Sequence, residues 1–303
     1  MIIVLPATIN DAALSSSNVP ENEYPLYSTT TTYGLGDTVL ALGTNIHYVY
    51  QSTVAGNLNN NPLNYLVTDL TKWQRIGNDN RWKMFDSSIT SQTSNADSIG
   101  VSLINLGVVT SVNVLNVNAS SLTVTLTDNA DGLVYNNTVS LVATSNTPDE
   151  YSWCFAPVVR AQDYALTDLP PYSNATIGVT LNDLGGTVMC GALVVGQGED
   201  FGAINYGAQV GIQDYSIKQK DVFGNYTILQ RAFNKFASES FYVQNSLVDY
   251  LQSRLAKYRA TPIVYIGSIS FGATIIYGFY KDFNIAIAYP TQSLCTMNLE
   301  GLT

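Results

Sequence analysis

The side chains that carry most enzyme chemistry are sparse in this sequence. His47 is the single histidine among 303 residues, and no carboxylate stands close to it along the chain. Mechanisms of the Ser-His-Asp and Cys-His type, and most zinc sites, need an imidazole that partner side chains hold in place. His47 stands in an alternating segment, so we interpret it as a partly exposed strand residue. The sequence therefore predicts no catalytic residue, and we expect the protein not to be an enzyme.

The cysteines likewise indicate neither a disulfide framework nor a metal site. Cys154, Cys190 and Cys295 are far apart and form no C-x-x-C pair. A disulfide framework or a structural zinc site needs more cysteines or closer spacing. All three stand in apolar, strand-like runs, which favours buried free thiols. We expect neither a metal nor a cofactor.

Two motifs resemble ligand-binding loops but depart from the spacing that such loops need. In 196–202, Phe201 stands where a dinucleotide fingerprint needs its third glycine, and no helical pattern follows. We therefore predict a glycine-rich loop there. In 128–132 the alternate spacing of calcium ligands is broken, and the pair Asp131-Gly132 indicates a hairpin turn instead.

Adjacent carboxylates occur at Asp149-Glu150 and at Glu199-Asp200. Neighbouring residues on a strand point to opposite faces, whereas glycoside hydrolysis needs two carboxyl groups that face one bond. The hypothesis of a polysaccharide-degrading enzyme therefore requires two carboxylates that are distant in sequence and that the fold brings together.

Composition narrows the classes of function further. The net charge is −10, and the 13 basic residues are scattered. Binding to nucleic acid needs clustered Lys and Arg that displace counterions from phosphates, so we expect none. Charged residues make up 12% of the chain, whereas Asn, Ser, Thr and Tyr are abundant. This mixture favours β-structure and a surface that meets other chains in an assembly.

A long uncharged stretch runs from Pro262 to Tyr280. It is rich in Gly, Tyr and β-branched residues, so it favours two strands over a membrane helix, and we expect no membrane span. The segment Met1–Pro6 lacks a basic region and has a short apolar run, so no secretory signal is expected.

The pattern along the chain predicts a mainly β protein in four parts. Residues 1–25 are expected to form an N-terminal arm of the kind that often becomes ordered against a neighbouring subunit. Residues 26–77 should form a small β module, built around a hairpin of 38–42 and 47–52. Residues 78–200 should form a jelly-roll-like β-sandwich, and residues 201–303 a small α+β domain with one main helix.

The predicted elements follow from the hydrophobic period. In the central part, strands are expected at 108–117, 122–127, 133–135, 138–143, 151–159, 175–181 and 187–195. In the last part, an apolar stripe of Phe241, Val248, Leu251 and Leu255 predicts a helix over 238–259. Strands at 226–231, 263–266, 274–280 and 283–289 should surround it.

Five aromatic residues cluster in the small module, namely Tyr33, Tyr48, Tyr50, Tyr65 and Trp73. Flat aromatic faces stack on pyranose rings, and nearby Asn and Gln side chains can bond sugar hydroxyls. The same residues could equally form the core of the module together with a contact to another subunit. The sequence leaves both interpretations open.

This module resembles the chitin-type carbohydrate-binding modules of families 5 and 12. The resemblance covers about fifty residues and rests on 33–39, 48–52, Gly56-Asn57, Pro62 and Trp73. It implies that Tyr33, Tyr50 and Trp73 are exposed aromatics that bind carbohydrate. Where those modules often begin with Trp, this sequence has Tyr33.

The chain after the module is similar to tail proteins of tailed phages. The junction Asn80-Arg81-Trp82-Lys83-Met84-Phe85-Asp86 resembles an N-R-W-x-M-F-D motif that recurs in them, and 170–172, 214–216 and 300–302 have similar short motifs. The resemblance implies a structural protein of the virion, in the tail or tail tip. Its expected partners are copies of itself and other phage tail proteins. The alternative is a carbohydrate-binding receptor-recognition protein that contacts host surface polysaccharide.

Overall fold

The computed structural model describes residues 1–65, 67–142 and 149–302. Strands account for 51% of the structure and helices for 10%, which confirms the predicted mainly β class. The strands are β1 (Ile2–Pro6), β2 (Leu14–Ser17), β3 (Thr32–Tyr33), β4 (Thr38–Ala41), β5 (Tyr48–Ser52), β6 (Asn57–Leu58), β7 (Trp73–Asn78), β8 (Thr93–Leu103), β9 (Ser111–Asn118), β10 (Ser121–Asp128), β11 (Gly132–Ser140), β12 (Tyr164–Leu166), β13 (Thr176–Asp200), β14 (Gln209–Asp214), β15 (Ile217–Lys220), β16 (Tyr226–Leu229), β17 (Phe233–Gln244), β18 (Ile263–Ile266), β19 (Ile275–Ala286) and β20 (Gln292–Gly301). The helices are α1 (Glu150–Phe155) and α2 (Val248–Lys257), and 3₁₀ turns span Pro62–Asn64, Asn80–Phe85, Asn245–Leu247 and Gly272–Thr274.

The 25-residue strand β13 organises the molecule. Its first half lies between β10 and β8, and its second half pairs with β8, β9 and β1. The register with β8 shifts between Asn182 and Thr187, and such a bulge bends a strand. Along its length β13 exchanges its partner β10 for β9 in a sandwich-like fold. Buried side chains of β8, β9, β10 and β13 form the largest core. They alternate with less buried ones in β10 and the first part of β13, whereas most of β9 is buried at consecutive positions.

The first 25 residues do not extend as a free arm. Strand β1 lies between β13 and β18 in an antiparallel sheet, and β2 pairs with β8. Pairing within the chain satisfies the backbone groups that β13 and β18 would otherwise leave open. The prediction of a glycine-rich loop at 196–202 is wrong, because β13 continues to Asp200 and pairs with β1 there. A Cβ atom on Gly196 would overlap the carbonyl oxygen of Leu5, so glycine permits this approach.

The main helix is shorter than its sequence pattern predicted. α2 begins at Val248, and the predicted helical residues 238–244 belong to β17 instead. Ala237, Glu239, Phe241 and Val243 are buried with a period of two, which a strand satisfies and a helix does not. Leu251 and Leu255 are buried as expected and pack with Phe241 in a second core. Strands β17 to β20 join the central strands through β18 and β1.

The segment Pro262–Tyr280 contains β18 and the start of β19, as predicted. In the part of the chain that the structure describes, no helix is long and apolar enough to span a membrane.

The predicted strand at 151–159 is wrong, since residues 150–155 form α1. Glu150 lies in its first turn, where a negative charge stabilises the helix dipole. Cys154 on this helix is exposed, contrary to prediction, whereas Cys190 and Cys295 are buried. Burial raises the pKa of both buried thiols to about 12. β11 ends at Ser140, and position 143 of the predicted strand 138–143 lies outside the described residues.

The sequence pattern indicated no strand at several places where the structure has one, including β8, β12, β14, β15 and β20. The hairpin turn predicted at 128–132 is confirmed. The Asp128 carboxylate accepts hydrogen bonds from the backbone N–H groups of Ala130 and Asp131, and Gly132 takes a φ of +76°. Such a left-handed conformation favours glycine.

Candidate functional site

The three predicted sugar-binding residues lie inside the small module. Tyr33, Tyr50 and Trp73 are 6%, 7% and 1% exposed, and they share one core cluster. The ring centroids of Tyr33 and Trp73 lie 5.3 Å apart at 67°. The flat faces that would stack on a pyranose ring are therefore covered by other side chains. The expectation that these residues are exposed is wrong, and the core interpretation is the one that the structure shows.

Hydrogen bonds fix the polar ends of these aromatic side chains. Trp73 Nε1 donates to the carbonyl oxygen of Asn60 at 2.8 Å, and Tyr33 Oη accepts from the Ser28 backbone N–H at 2.7 Å. Buried Tyr and Trp side chains usually find such partners. The predicted hairpin is confirmed, because β4 pairs with β5 and β5 with β7. Since the module is small, it needs its largest side chains for its own core.

A cleft of about 870 Å³ separates the module from the main sheet. The module contributes the end of its hairpin and the strand β7, which place Tyr48, Arg75 and Asn78 on one wall. The opposite wall combines the end of β1, the Asn80–Asp86 junction with the serines after it, and the segment before β18. Because the cleft lies between parts that are distant in sequence, no single motif indicates it.

Asp86 is the carboxylate of this cleft. Its Oδ2 accepts from Asn78 Nδ2 at 2.7 Å and its Oδ1 from the Ser88 backbone N–H at 2.7 Å. Burial raises the pKa of Asp86 above its usual value, and these hydrogen bonds oppose the shift. The hydrogen bonds hold the carboxylate in a fixed orientation between the module and the sheet.

Arg75 and Tyr48 form the aromatic part of the cleft. The guanidinium carbon of Arg75 lies 4.4 Å from the centre of the Tyr48 ring, a cation–π contact. Arg75 is exposed to solvent. Guanidinium, amide, carboxylate and hydroxyl groups together can donate to and accept from a ligand rich in hydroxyl groups.

A group of charged and aromatic residues joins the module to the rest of the chain. Glu21 Oε1 accepts from His47 Nδ1 at 2.5 Å and from Trp82 Nε1 at 3.0 Å. Glu21 Oε2 accepts from Arg81 Nη1 at 3.2 Å. We call these four residues the Glu21 joint. It connects the N-terminal segment, the module and the Asn80–Asp86 junction.

His47 therefore differs from its sequence interpretation. It is 5% exposed and lies against Trp82, with ring centroids 4.9 Å apart. Asp11 Oδ1 lies 3.6 Å from its Nε2 atom. These carboxylates are distant in sequence, which is why the local pattern missed them. An imidazole so buried cannot reach a substrate in solvent, and its contacts are those of a structural joint.

The adjacent carboxylates at 199–200 do not converge on one bond. Glu199 Oε1 binds Arg254 Nη2 at 2.5 Å and Tyr250 Oη at 3.0 Å. Asp200 accepts instead from the Gly202 backbone N–H. Within the described ranges, no three His, Cys, Asp or Glu residues are grouped to hold a metal ion.

A buried carboxyl group that the sequence did not indicate lies in β17. Glu239 is 1% exposed, and neither of its oxygens has a hydrogen-bond partner among the described residues. Burial raises its pKa to about 7, while the amino group of Met1 opposes the shift. A Cβ atom on Gly267 would lie 2.4 Å from Glu239 Oε1, so glycine leaves room for the carboxyl. Strand alternation alone could have placed this residue inward once β17 was recognised.

No family model, curated protein or solved structure matches this chain. Proposals about its function therefore depend on its sequence motifs and on the surfaces and contacts described above.

Proposed function

We propose that this protein is a structural component of a tailed-phage virion. In this role it is a tail or tail-tip protein, in a baseplate, a hub or a fibre attachment, and it assembles through contacts between subunits. The observation that carries the proposal is a concentration of exposed apolar side chains in 206–236. Among them, Tyr206, Val222 and Phe223 are each more than 85% exposed. Large exposed apolar patches are typical of surfaces that other chains cover.

The Asn80–Asp86 junction supports a structural role. Trp82 and Met84 are each 1% exposed, and Asp79 caps the 3₁₀ turn by accepting from the Arg81 backbone N–H. Through the Glu21 joint, Arg81 and Trp82 connect the junction to the N-terminal segment and the module. The motif that is similar to phage tail proteins thus consists of residues that pack and form hydrogen bonds. Such residues suit a structural protein, because they hold the module in a fixed position relative to the rest of the chain.

The experiment is to look for the protein in particles. Purified virions of the phage that encodes this chain are analysed by mass spectrometry, and antibody-gold labelling locates the chain by electron microscopy. We expect a stoichiometric component with label on the tail, and tail defects in particles from a nonsense mutant. Absence of the chain from washed particles contradicts the proposal.

A second candidate function is recognition of a carbohydrate receptor on the host surface. The cleft favours it, because Arg75, Asn78 and Asp86 present donors and acceptors together. We expect binding of chitin-type oligosaccharides or host polysaccharide in a pull-down, with loss in Arg75→Ala. If the wild-type protein retains no glycan, or if Arg75→Ala binds as well as the wild type, the cleft is not a glycan site.

A further inference from the structure

The hairpin formed by β15 and β16 stands apart from the main sheet. The two strands pair with each other in a sheet of their own and, among the described residues, with no other strand. An isolated two-stranded hairpin is marginally stable in water and needs a third strand or another surface. Within the described ranges, the chain supplies no such strand to this hairpin.

The tip of the hairpin presents apolar side chains on a well-formed turn. Val222 and Phe223 are 93% and 87% exposed. The Asp221 carboxylate accepts from the backbone N–H groups of Phe223 and Asn225 at 2.9 and 2.8 Å, and Gly224 takes a φ of +91°. The turn therefore fixes the two apolar side chains in an outward position, where exposure to water costs free energy.

The charge of this segment is opposite to that of the rest of the chain. Residues 215–231 contain Lys218, Lys220 and Arg231 but a single acidic residue, Asp221, so the segment carries +2. Because the whole chain carries −10, the remaining residues carry −12. Lys218 is paired with Asp214 at 2.9 Å, so Lys220 near the tip and Arg231 supply the positive charge that a negative patch on a second copy attracts locally.

A surface of suitable chemistry lies around α1. Tyr151, Phe155 and Val158 are 75%, 72% and 67% exposed, and the two rings lie 4.8 Å apart. Glu150 is also exposed. We call these four residues the α1 patch. It combines apolar contact area with negative charge, the complement of a basic hairpin with an apolar tip.

We infer that the hairpin of one copy of this protein docks on the α1 patch of a second copy. The inference rests on the proposed function, since it names the contact through which the subunits assemble. Val222 and Phe223 cover the apolar side chains of the patch, and Lys220 faces Glu150. Because the two surfaces differ, the contact is heterologous and repeats from copy to copy into a closed ring or an open filament.

The native Cys154 lies on α1 and allows a direct test. Cys154 is exposed, whereas Cys190 and Cys295 are buried. The full chain with Val222→Cys, which keeps a small apolar side chain at the tip and leaves Phe223 in place, is oxidised with copper phenanthroline and separated on a non-reducing gel. We expect a ladder of disulfide-linked dimers and larger species, because each copy carries one thiol on the hairpin and one at the patch.

Two control variants make this test specific. The double variant Val222→Cys, Cys154→Ser should lose the ladder. Leu35→Cys places a thiol in the small module at a position that is 71% exposed, and it should cross-link no more than the wild type. Equal cross-linking of Leu35→Cys, or a dimer that persists in the double variant, overturns the inference.

Sedimentation of the unlinked protein gives a second readout. We expect Phe223→Asp and Lys220→Glu each to weaken self-association by about tenfold or more, and Glu150→Lys to restore it when mixed with Lys220→Glu. Circular dichroism should show unchanged folds, since these side chains are exposed. If the wild-type protein is a monomer in solution but is located on phage tails, the inferred contact is wrong and the proposed function stands. If the protein forms hairpin-dependent oligomers but is absent from virions, the contact stands and the proposed function is wrong.

Discussion

Glu21 Oε1 lies 2.5 Å from Nδ1 of His47, across 26 positions of the chain. The contact joins the segment before the small module to the module itself. The same oxygen also accepts from Trp82 Nε1, so one partly buried carboxylate connects three parts of the molecule. Hydrogen bonds to a charged group contribute more to stability than neutral ones, which makes this carboxylate the natural point to test how the module is held.

We predict that Glu21→Gln loosens the module. The amide keeps the size of the side chain but removes the charge that Arg81 and His47 contact. The free energy of unfolding should fall by about 1 to 3 kcal/mol, as measured by urea denaturation. Limited proteolysis should also cleave the chain faster near the module. Glu23→Gln is the matched control, because Glu23 is exposed. Equal stability of the two variants contradicts the role given to Glu21.

Gly196→Ala should disrupt the docking of β1. The new methyl group would overlap the carbonyl oxygen of Leu5, and relief of the overlap must displace one of two paired strands. We expect a loss of about 1 to 3 kcal/mol in thermal or chemical unfolding. Gly77→Ala is the control, since nothing lies within 4 Å of a Cβ there. A Gly196→Ala variant as stable as Gly77→Ala argues against the close strand approach.

Glu239 should make stability depend on pH. Its pKa is raised from 4.5 to about 7 in the folded protein, so between these values the native state binds more protons than the unfolded state. The contribution of the neutral carboxyl is complete below pH 4.5 and is lost as the pH rises through about 7. Its full size is on the order of 3 kcal/mol.

The variant Glu239→Gln isolates this contribution from other titrating groups. Unfolding free energies of the two proteins are compared at a series of pH values. The variant should gain stability relative to the wild type as the pH rises from 4.5 to 8. A difference that stays constant over this range shows that Glu239 does not titrate as described.

Substitutions of Trp73 and Arg75 should have different effects, the first on the stability of the module and the second on ligand binding. Trp73→Ala removes a core side chain and should cost about 3 to 5 kcal/mol, whereas Arg75→Ala should leave the unfolding midpoint nearly unchanged because Arg75 is exposed. If the module binds glycan through the cleft, Arg75→Ala loses binding without loss of stability. If Arg75→Ala instead lowers the stability of the module and leaves glycan binding unchanged, Arg75 has a structural role.

Local patterns in the sequence determined much of the secondary structure. Alternation predicted β9, β10 and the module hairpin, because side chains that alternate along a strand face core and solvent in turn. The pair Asp131-Gly132 predicted its turn, since glycine accepts the left-handed conformation that the turn requires. Leu251 and Leu255 indicated α2 through their helical spacing, although the same apolar stripe wrongly extended the helix into β17.

Only the tertiary structure decided which residues are buried and which meet each other. Trp73 in the sequence fits either a sugar-binding face or a core, and the choice depends on strands that pack over it. His47 acquires its carboxylate partners from positions 26 and 36 residues earlier, and β1 finds its place beside a glycine almost two hundred residues later. Such contacts depend on chain folding over long sequence separations, and no local spacing of residue types encodes them.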